Sequence, residues 1–166
     1  MQLNFLVTAL AALVPLILGF IWYNPKVFGT AWMKSADVTA EKVKSVNMPL
    51  LMILGYVFAL MMALSLNFMV VHQYHIYSIL INEPGFGDPN SSVGKMVADF
   101  MAKYGQNYRT FKHGAFHGLV SGILLTVPII GTNALHEGRK FKYIAINAAY
   151  WIVSMMIMGG IISAYA

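Results

Sequence analysis

The sequence contains no cysteine and few charged residues. Without cysteine it has no disulfides, no thiolate metal sites and no cysteine nucleophile. Charged residues make up 10% of the 166 residues, whereas an ordinary soluble domain has about 25%. The low charge excludes a conventional soluble globule, and the 58% of hydrophobic residues excludes a disordered chain. The 11 basic residues are scattered between apolar blocks and form no basic face, so no nucleic-acid partner is predicted.

The sequence contains four long apolar stretches, at about residues 3–23, 50–71, 114–135 and 143–165. A helix needs roughly 20 residues to cross the hydrocarbon core of a bilayer, and backbone groups in lipid must be satisfied within the helix. We therefore predict an all-α membrane protein, a four-transmembrane-helix bundle in a single domain over residues 1–166, surrounded by membrane lipid. Pro15 and Pro128 lie inside two spans and should kink them.

The basic residues also predict an orientation. Seven of the 11 lie in the first and third loops, which share one side of a four-span protein: Lys26, Lys34, Lys42, Lys44, Arg139, Lys140 and Lys142. The central connection at about 72–113 carries the other four. The positive-inside rule therefore places the first and third loops in the cytoplasm, with both termini and the central connection outside.

The central connection has an organised pattern. Apolar residues continue past the second span, so we expect its helix to project to about Asn82. From Val93 to Tyr104 apolar residues recur at helical spacing, which predicts an amphipathic outer helix from Ser91 or Ser92 to Gly105. Such a helix either caps the bundle or lies on the lipid surface; the alternative is a lid over a binding cavity.

Small residues recur at four-residue spacing and predict close helix packing. The rows are Gly55, Ala59 and Ala63 in the second span, Gly114, Gly118 and Gly122 in the third, and Gly159 with Ser163 in the fourth. Such rows let helix backbones approach closely. We expect packing within the chain, with packing between copies as the alternative.

Four histidines are the best candidates for chemistry. His72 and His75 lie near the outer end of the second span, and His113 and His117 at the outer start of the third. Imidazoles converging from two helices could bind Zn, Cu or Ni. However, the connection of about 40 residues does not force the two helices to be neighbours, and no acidic partner is apparent. We therefore predict no joint metal site and no cofactor.

The remaining polar residues predict structural contacts. Glu137 lies in the turn between the last two spans, where Arg139 or Lys140 is its expected partner. Asn67, Asn133 and Asn147 are expected to form hydrogen bonds between helices. No catalytic nucleophile–base pair, phosphate-binding loop or dinucleotide fingerprint is present, so no catalytic residue is predicted.

Two stretches of the sequence resemble a known family. The first runs from Ile21 through Trp22, Tyr23, Asn24 and Pro25 to Phe28-Gly29 and Trp32-Met33. The second contains Asn133-Ala134-Leu135, Glu137, Arg139, Phe141 to Ile144, Asn147, Tyr150-Trp151 and Met158-Gly159-Gly160. These residues resemble the bacterial membrane family called domain of unknown function 1761. The resemblance implies a small four-span protein of the bacterial inner membrane and supplies no activity, ligand or catalytic residue.

Three functions remain open at this point. The small-residue rows and the twelve methionines favour a structural or accessory subunit that assembles as a homo-oligomer or within a larger membrane complex. The outer histidines and the amphipathic helix suggest the alternative, a protein that binds or transports a small solute or metal. A membrane enzyme acting on lipid is the third hypothesis, with His113, His117 or Glu137 as acid–base groups.

Overall fold

The computed structural model describes residues 2–166. Over that range it consists of helices and the turns between them, with no strand. The first span comprises α1 (Phe5–Ala11) and α2 (Leu13–Trp22), the second is α5 (Met48–Val70), and the fourth is α10 (Phe141–Tyr165). The third comprises α8 (Phe111–Ser121), a π-helical turn (Gly122–Thr126) and α9 (Val127–His136). All four are long and apolar enough to span a membrane, so the predicted all-α four-span class is confirmed.

The two irregular spans owe their form to proline. Proline lacks a backbone N–H, so the carbonyl group four residues earlier loses its helical donor. For Pro15 that carbonyl belongs to Ala11, and the first span is interrupted immediately afterwards, at Ala12. For Pro128 it belongs to Leu124, which lies inside the π-helical turn. The expected kinks therefore take the form of local breaks in the helical hydrogen bonding.

Shorter helices occupy the first and central connections. A π-helical turn (Pro25–Gly29), α3 (Thr30–Ala36) and α4 (Ala40–Lys44) join the first two spans. The central connection contains α6 (Gln73–Leu80) and α7 (Ser92–Tyr104). The amphipathic helix is thus confirmed as α7, and the Ser91 hydroxyl caps it by accepting a hydrogen bond from the N–H of Gly94 at 2.9 Å.

The fourth span is the centre of the bundle. Helix α10 packs most extensively against α8 and also contacts α1, α2, α5 and α9. Its Met155, Met158 and Ile162 are buried with Ala63 and Leu66 of α5 in the main hydrophobic core. Helices α5 and α8 also contact each other. Packing on α10 therefore brings the second and third spans together.

Hydrogen bonds show which chain segments share each end of the bundle. The amide of Asn4 donates to the carbonyl oxygen of Tyr165 at 3.3 Å, so both termini lie at one end. The hydroxyl of Ser163 donates to the carbonyl oxygen of Tyr108 at 3.2 Å, which places the central connection there too. We call this the connection end. At the opposite end the Trp22 indole donates to the carbonyl oxygen of Ile146 at 3.2 Å.

The second span does not continue to Asn82, contrary to expectation. Helix α5 ends at Val70, because Val71 adopts φ −108° and ψ 90°, outside the helical region. Helix α6 then begins at Gln73. This break places His72 at a junction between two helices, and the apolar run seen in the sequence is divided between them.

Candidate metal centre

The helix break at Val71 positions His72. The N–H of Val71 still donates to the carbonyl oxygen of Asn67 at 3.0 Å, so it closes the last turn of α5. The N–H of His75 donates to the carbonyl oxygen of His72 at 3.1 Å and begins the next helical turn. Val71 is fully buried whereas His72 is exposed. The imidazole of His72 is therefore presented at the edge of the core, at the level where the apolar span ends.

The start of α8 presents two further imidazoles. The hydroxyl of Thr110 accepts a hydrogen bond from the N–H of His113 at 3.2 Å and caps the helix. His113 and His117 are four residues apart, so they lie on one face of α8. Their ring centroids are 4.5 Å apart, and both side chains are half-buried.

His72, His113 and His117 form a compact group, which we call the histidine trio. Nε2 of His72 lies 2.9 Å from Nε2 of His113, and the ring centroid of His72 lies 4.8 Å from that of His117. One nitrogen from each ring lies within 4.8 Å of the other two. Nitrogens bound to one tetrahedral zinc ion at about 2.0–2.1 Å are about 3.3 Å apart. Small side-chain movements would therefore bring three nitrogens around one ion.

His75, the fourth candidate, lies outside this trio. Its Nδ1 lies 3.2 Å from the carbonyl oxygen of His72, and its ring centroid is 6.4 Å from that of His72. The structure thus brings three of the four predicted histidines together. The second and third spans are in contact through α5 and α8, although the connection of about 40 residues did not require it.

The surroundings of His72 favour its neutral imidazole. Partial burial lowers the pKa of His72, and repulsion from His113 and then His75, when these are protonated, lowers that pKa further. Neutral imidazole is the form that binds a metal ion. Within residues 2–166 the trio includes no carboxylate, so three nitrogens form the donor set.

Tyr108, which the sequence did not single out, flanks the trio. Its ring centroid lies 4.9 Å from that of His113, with the ring planes inclined by 31°. The backbone of Tyr108 adopts φ 62°, and its carbonyl oxygen accepts the hydrogen bond from Ser163. Positive φ is uncommon for tyrosine, and no sequence signal predicts it here. The hydrogen bond to α10 holds the loop and its tyrosine beside His113.

A groove of about 390 Å³ opens beside His72. Ile76 of α6, Phe100 and Tyr104 of α7, and Tyr108 contribute most of its apolar lining. The amide of Gln73 donates to the carbonyl oxygen of Asn107 at 2.8 Å, which ties the loop after α7 to α6. The groove joins the trio because His72 belongs to both. The amphipathic pattern predicted helix α7, but it did not indicate which residues of other elements would line a groove with this helix.

The small-residue row of the third span faces α10. A Cβ atom on Gly114 would collide with the carbonyl oxygen of Gly159 and with Ser163, and one on Gly118 would collide with the backbone of Met155. Gly122 is similarly close to Ile152. In the second span Ala59 and Ala63 are fully buried, whereas Gly55 has no atom within 4 Å of such a Cβ. The close contacts of the third-span row, and the burial of Ala59 and Ala63, therefore lie within the chain, whereas Gly55 makes no such contact.

The other predicted polar contacts are largely present. Nε of Arg139 lies 3.6 Å from a carboxylate oxygen of Glu137, in agreement with the expected pairing. The side-chain amide of Asn67 in α5 donates a hydrogen bond to the hydroxyl of Thr8 in α1. The side-chain oxygen of Asn147 in α10 accepts a hydrogen bond from the hydroxyl of Tyr23, which follows α2. Both asparagines therefore form the expected hydrogen bonds between spans. Asn133 is exposed near the end of α9, and within the described residues its side chain does not form the expected hydrogen bond between helices.

The comparisons with known proteins place the chain in a family. Residues 6–163 match the family described as "Protein of unknown function (DUF1761)". The chain belongs to this family. No curated protein and no solved structure shows significant similarity to it. Membership in DUF1761 confirms the resemblance, and it leaves the molecular function to be inferred from the site.

The DUF1761-like stretches meet at the end of the bundle opposite the histidine trio. The Tyr23 hydroxyl donates to Oδ1 of Asn147 at 3.0 Å, and the Tyr23 and Trp32 rings lie edge to face at 5.4 Å. Oδ1 of Asn24 accepts from the N–H of Lys26 at 2.9 Å, and Pro25 begins the π-helical turn. These motif residues thus connect the first loop to α10, and their contacts are structural.

Proposed function

We propose that this chain is an integral membrane protein that binds one transition-metal ion through His72, His113 and His117. The observation that carries the proposal is the convergence of three imidazole nitrogens, one from the α5–α6 junction and two from α8, within 4.8 Å of one another. Imidazole suits Zn, Cu and Ni, and three ligands leave one tetrahedral position open.

The direct test is the metal content of the purified protein. The wild-type chain in detergent is incubated with excess Zn²⁺, passed through a desalting column and analysed by elemental mass spectrometry. We expect about one zinc per chain, and loss of that zinc in the H113A/H117A double variant, because a single remaining imidazole holds the ion weakly.

His136→Ala is the matched control. His136 is an exposed histidine at the far end of α9, away from the trio, so its removal should leave the zinc content unchanged. Elution volume on size exclusion and thermal melting without metal establish that each variant is folded. Wild-type protein without zinc, or a folded double variant that retains it, would contradict the proposal.

A structural or accessory subunit is the alternative that the small-residue rows favoured. Gly114 and Gly118 pack against α10, so the row in the third span supplies no separate argument for a homo-oligomer or a larger complex. The family resemblance favours a place in the bacterial inner membrane, and the pattern of basic residues supports an orientation with both termini outside. In that orientation the histidine trio lies on the outer side of the membrane, because it is at the connection end of the bundle. A protein that binds no zinc and copurifies with a stoichiometric partner would favour the accessory role.

A further inference from the structure

The apolar groove adjoins the histidine trio at His72. His72 contributes to both, and Tyr108, whose ring lies beside His113, forms part of the groove. Phe100 and Tyr104 remain 37% and 38% exposed, although each is aromatic and faces this concave surface. A volume of about 390 Å³ is within the range of small-molecule sites, about 300–1,000 Å³. The groove therefore has room for the apolar body of a small ligand.

The charge of the bound ion favours an anionic head group in such a ligand. Imidazole ligands add no negative charge, and no carboxylate belongs to the trio in the described part of the chain, so a divalent ion keeps its double charge. An anionic oxygen at the open metal position would complement this charge.

The position of the trio in the chain fits an amphiphilic molecule. His72 is the second residue after α5 ends, and His113 lies in the first turn of α8. The trio is therefore at the level where two apolar spans meet polar surroundings, and amphiphiles concentrate at that boundary.

We propose, on the basis of the metal site proposed above, that the ion's fourth ligand is the anionic oxygen of an amphiphile. The apolar body of that molecule lies against Ile76, Phe100 and Tyr104. The head is a carboxylate or a phosphate, and the body is an alkyl or aromatic group small enough for the groove.

The test uses protein loaded with Co²⁺, because the visible absorption of this ion reports its ligands. The probe is 4-phenylbutyrate, compared with acetate, which has the head alone, and with 4-phenylbutanol, which has the body without the charge. We expect 4-phenylbutyrate to change the cobalt spectrum at a concentration at least about tenfold lower than acetate, since acetate buries no apolar surface. The alcohol should produce no such change. Decyl phosphate, compared with inorganic phosphate, tests whether a phosphate head has the same effect.

Groove variants separate this inference from the metal proposal. Phe100→Ser should weaken the effect of 4-phenylbutyrate about tenfold without altering cobalt content or the response to acetate. Met96→Ser is the matched control, because Met96 lies on α7 outside this groove. If no cobalt binds, the metal proposal itself fails. If cobalt binds but 4-phenylbutyrate and acetate act at equal concentrations, or Phe100→Ser has no effect, the groove inference alone is wrong.

Discussion

The side-chain amide of Asn67 donates a hydrogen bond to the hydroxyl of Thr8 at 3.1 Å, and both residues are fully buried. The bond joins α5 to α1. The same amide donates to the carbonyl oxygen of Ala63 at 2.8 Å, while the Thr8 hydroxyl donates to that of Asn4 at 2.9 Å. Oδ1 of Asn67 has no partner within the described residues. The contact is therefore a polar link between two spans inside an apolar core.

We predict measurable coupling between these two residues. In a double-mutant cycle of Thr8→Val and Asn67→Ala, the interaction term in the free energy of unfolding should be about 0.6–1.7 kcal/mol, between the average and the maximum found for hydrogen bonds between membrane helices. Thr8→Ser keeps the hydroxyl and should preserve the coupling. Strict additivity of the two single variants, measured by unfolding in mixed micelles, would show that the bond contributes nothing.

A second polar link closes the opposite end of the bundle. The Tyr23 hydroxyl is the donor to Oδ1 of Asn147, whose own amide donates to the carbonyl oxygen of Tyr143 at 2.8 Å. Tyr23→Phe should lower the free energy of unfolding by about 0.5–1.5 kcal/mol, because it removes one hydrogen bond while keeping the ring. Tyr165→Phe is the comparison, since Tyr165 is 69% exposed and should tolerate the change. Equal melting temperatures for wild type and Tyr23→Phe would exclude a stabilising role for the bond.

The positions of the spans could be predicted from the sequence because hydrophobic length alone determines them. The Ser91 cap and the spacing of apolar residues likewise predicted α7. The end of the second span near Val71 was predicted, but the break in the helix there was not, because apolar residues resume at Ile76 and suggested one helix continuing to about Asn82.

Convergence of the trio depends on which helices are neighbours. The glycine row at Gly114 and Gly118 indicated a close approach but not its partner, which is α10. Because α5 also packs on α10, His72 is brought to His113 by contacts that are remote along the chain. Local sequence patterns contain no information of that kind. Tyr108 and the groove also depend on contacts between residues that are remote along the chain, so they were not predicted.

The close contact of α8 with α10 provides a prediction with a matched control. Alanine at Gly118 would place its Cβ against the carbonyl oxygen of Met155 and the backbone of Met156. The helices must separate to accept it, so Gly118→Ala should destabilise the protein by about 1–3 kcal/mol, the usual effect of overpacking. Gly118→Leu should be worse and should disrupt the bundle or its assembly.

Gly55→Ala makes the same chemical change where space is open. No atom lies within 4 Å of a Cβ at Gly55, so this variant should not lose stability. Ile123→Leu, at an exposed position in the third span, should also be neutral. Thermal melting and elution volume distinguish these outcomes. If the Gly118→Ala variant has the same melting temperature as the wild type, the glycine row is not a close contact between α8 and α10.

The last prediction concerns orientation across the membrane. The two termini and the central connection share one end, and the first and third loops, with seven of the 11 basic residues, lie at the other. The positive-inside rule then places Lys44 and Lys140 in the cytoplasm and Lys95 outside. All three side chains are exposed, and the absence of native cysteine makes single-cysteine variants clean probes. An impermeant thiol reagent on intact cells should label position 95, and positions 44 and 140 only after the membrane is opened. Labelling of position 44 but not 95 on intact cells would reverse the orientation and place the histidine trio on the cytoplasmic side.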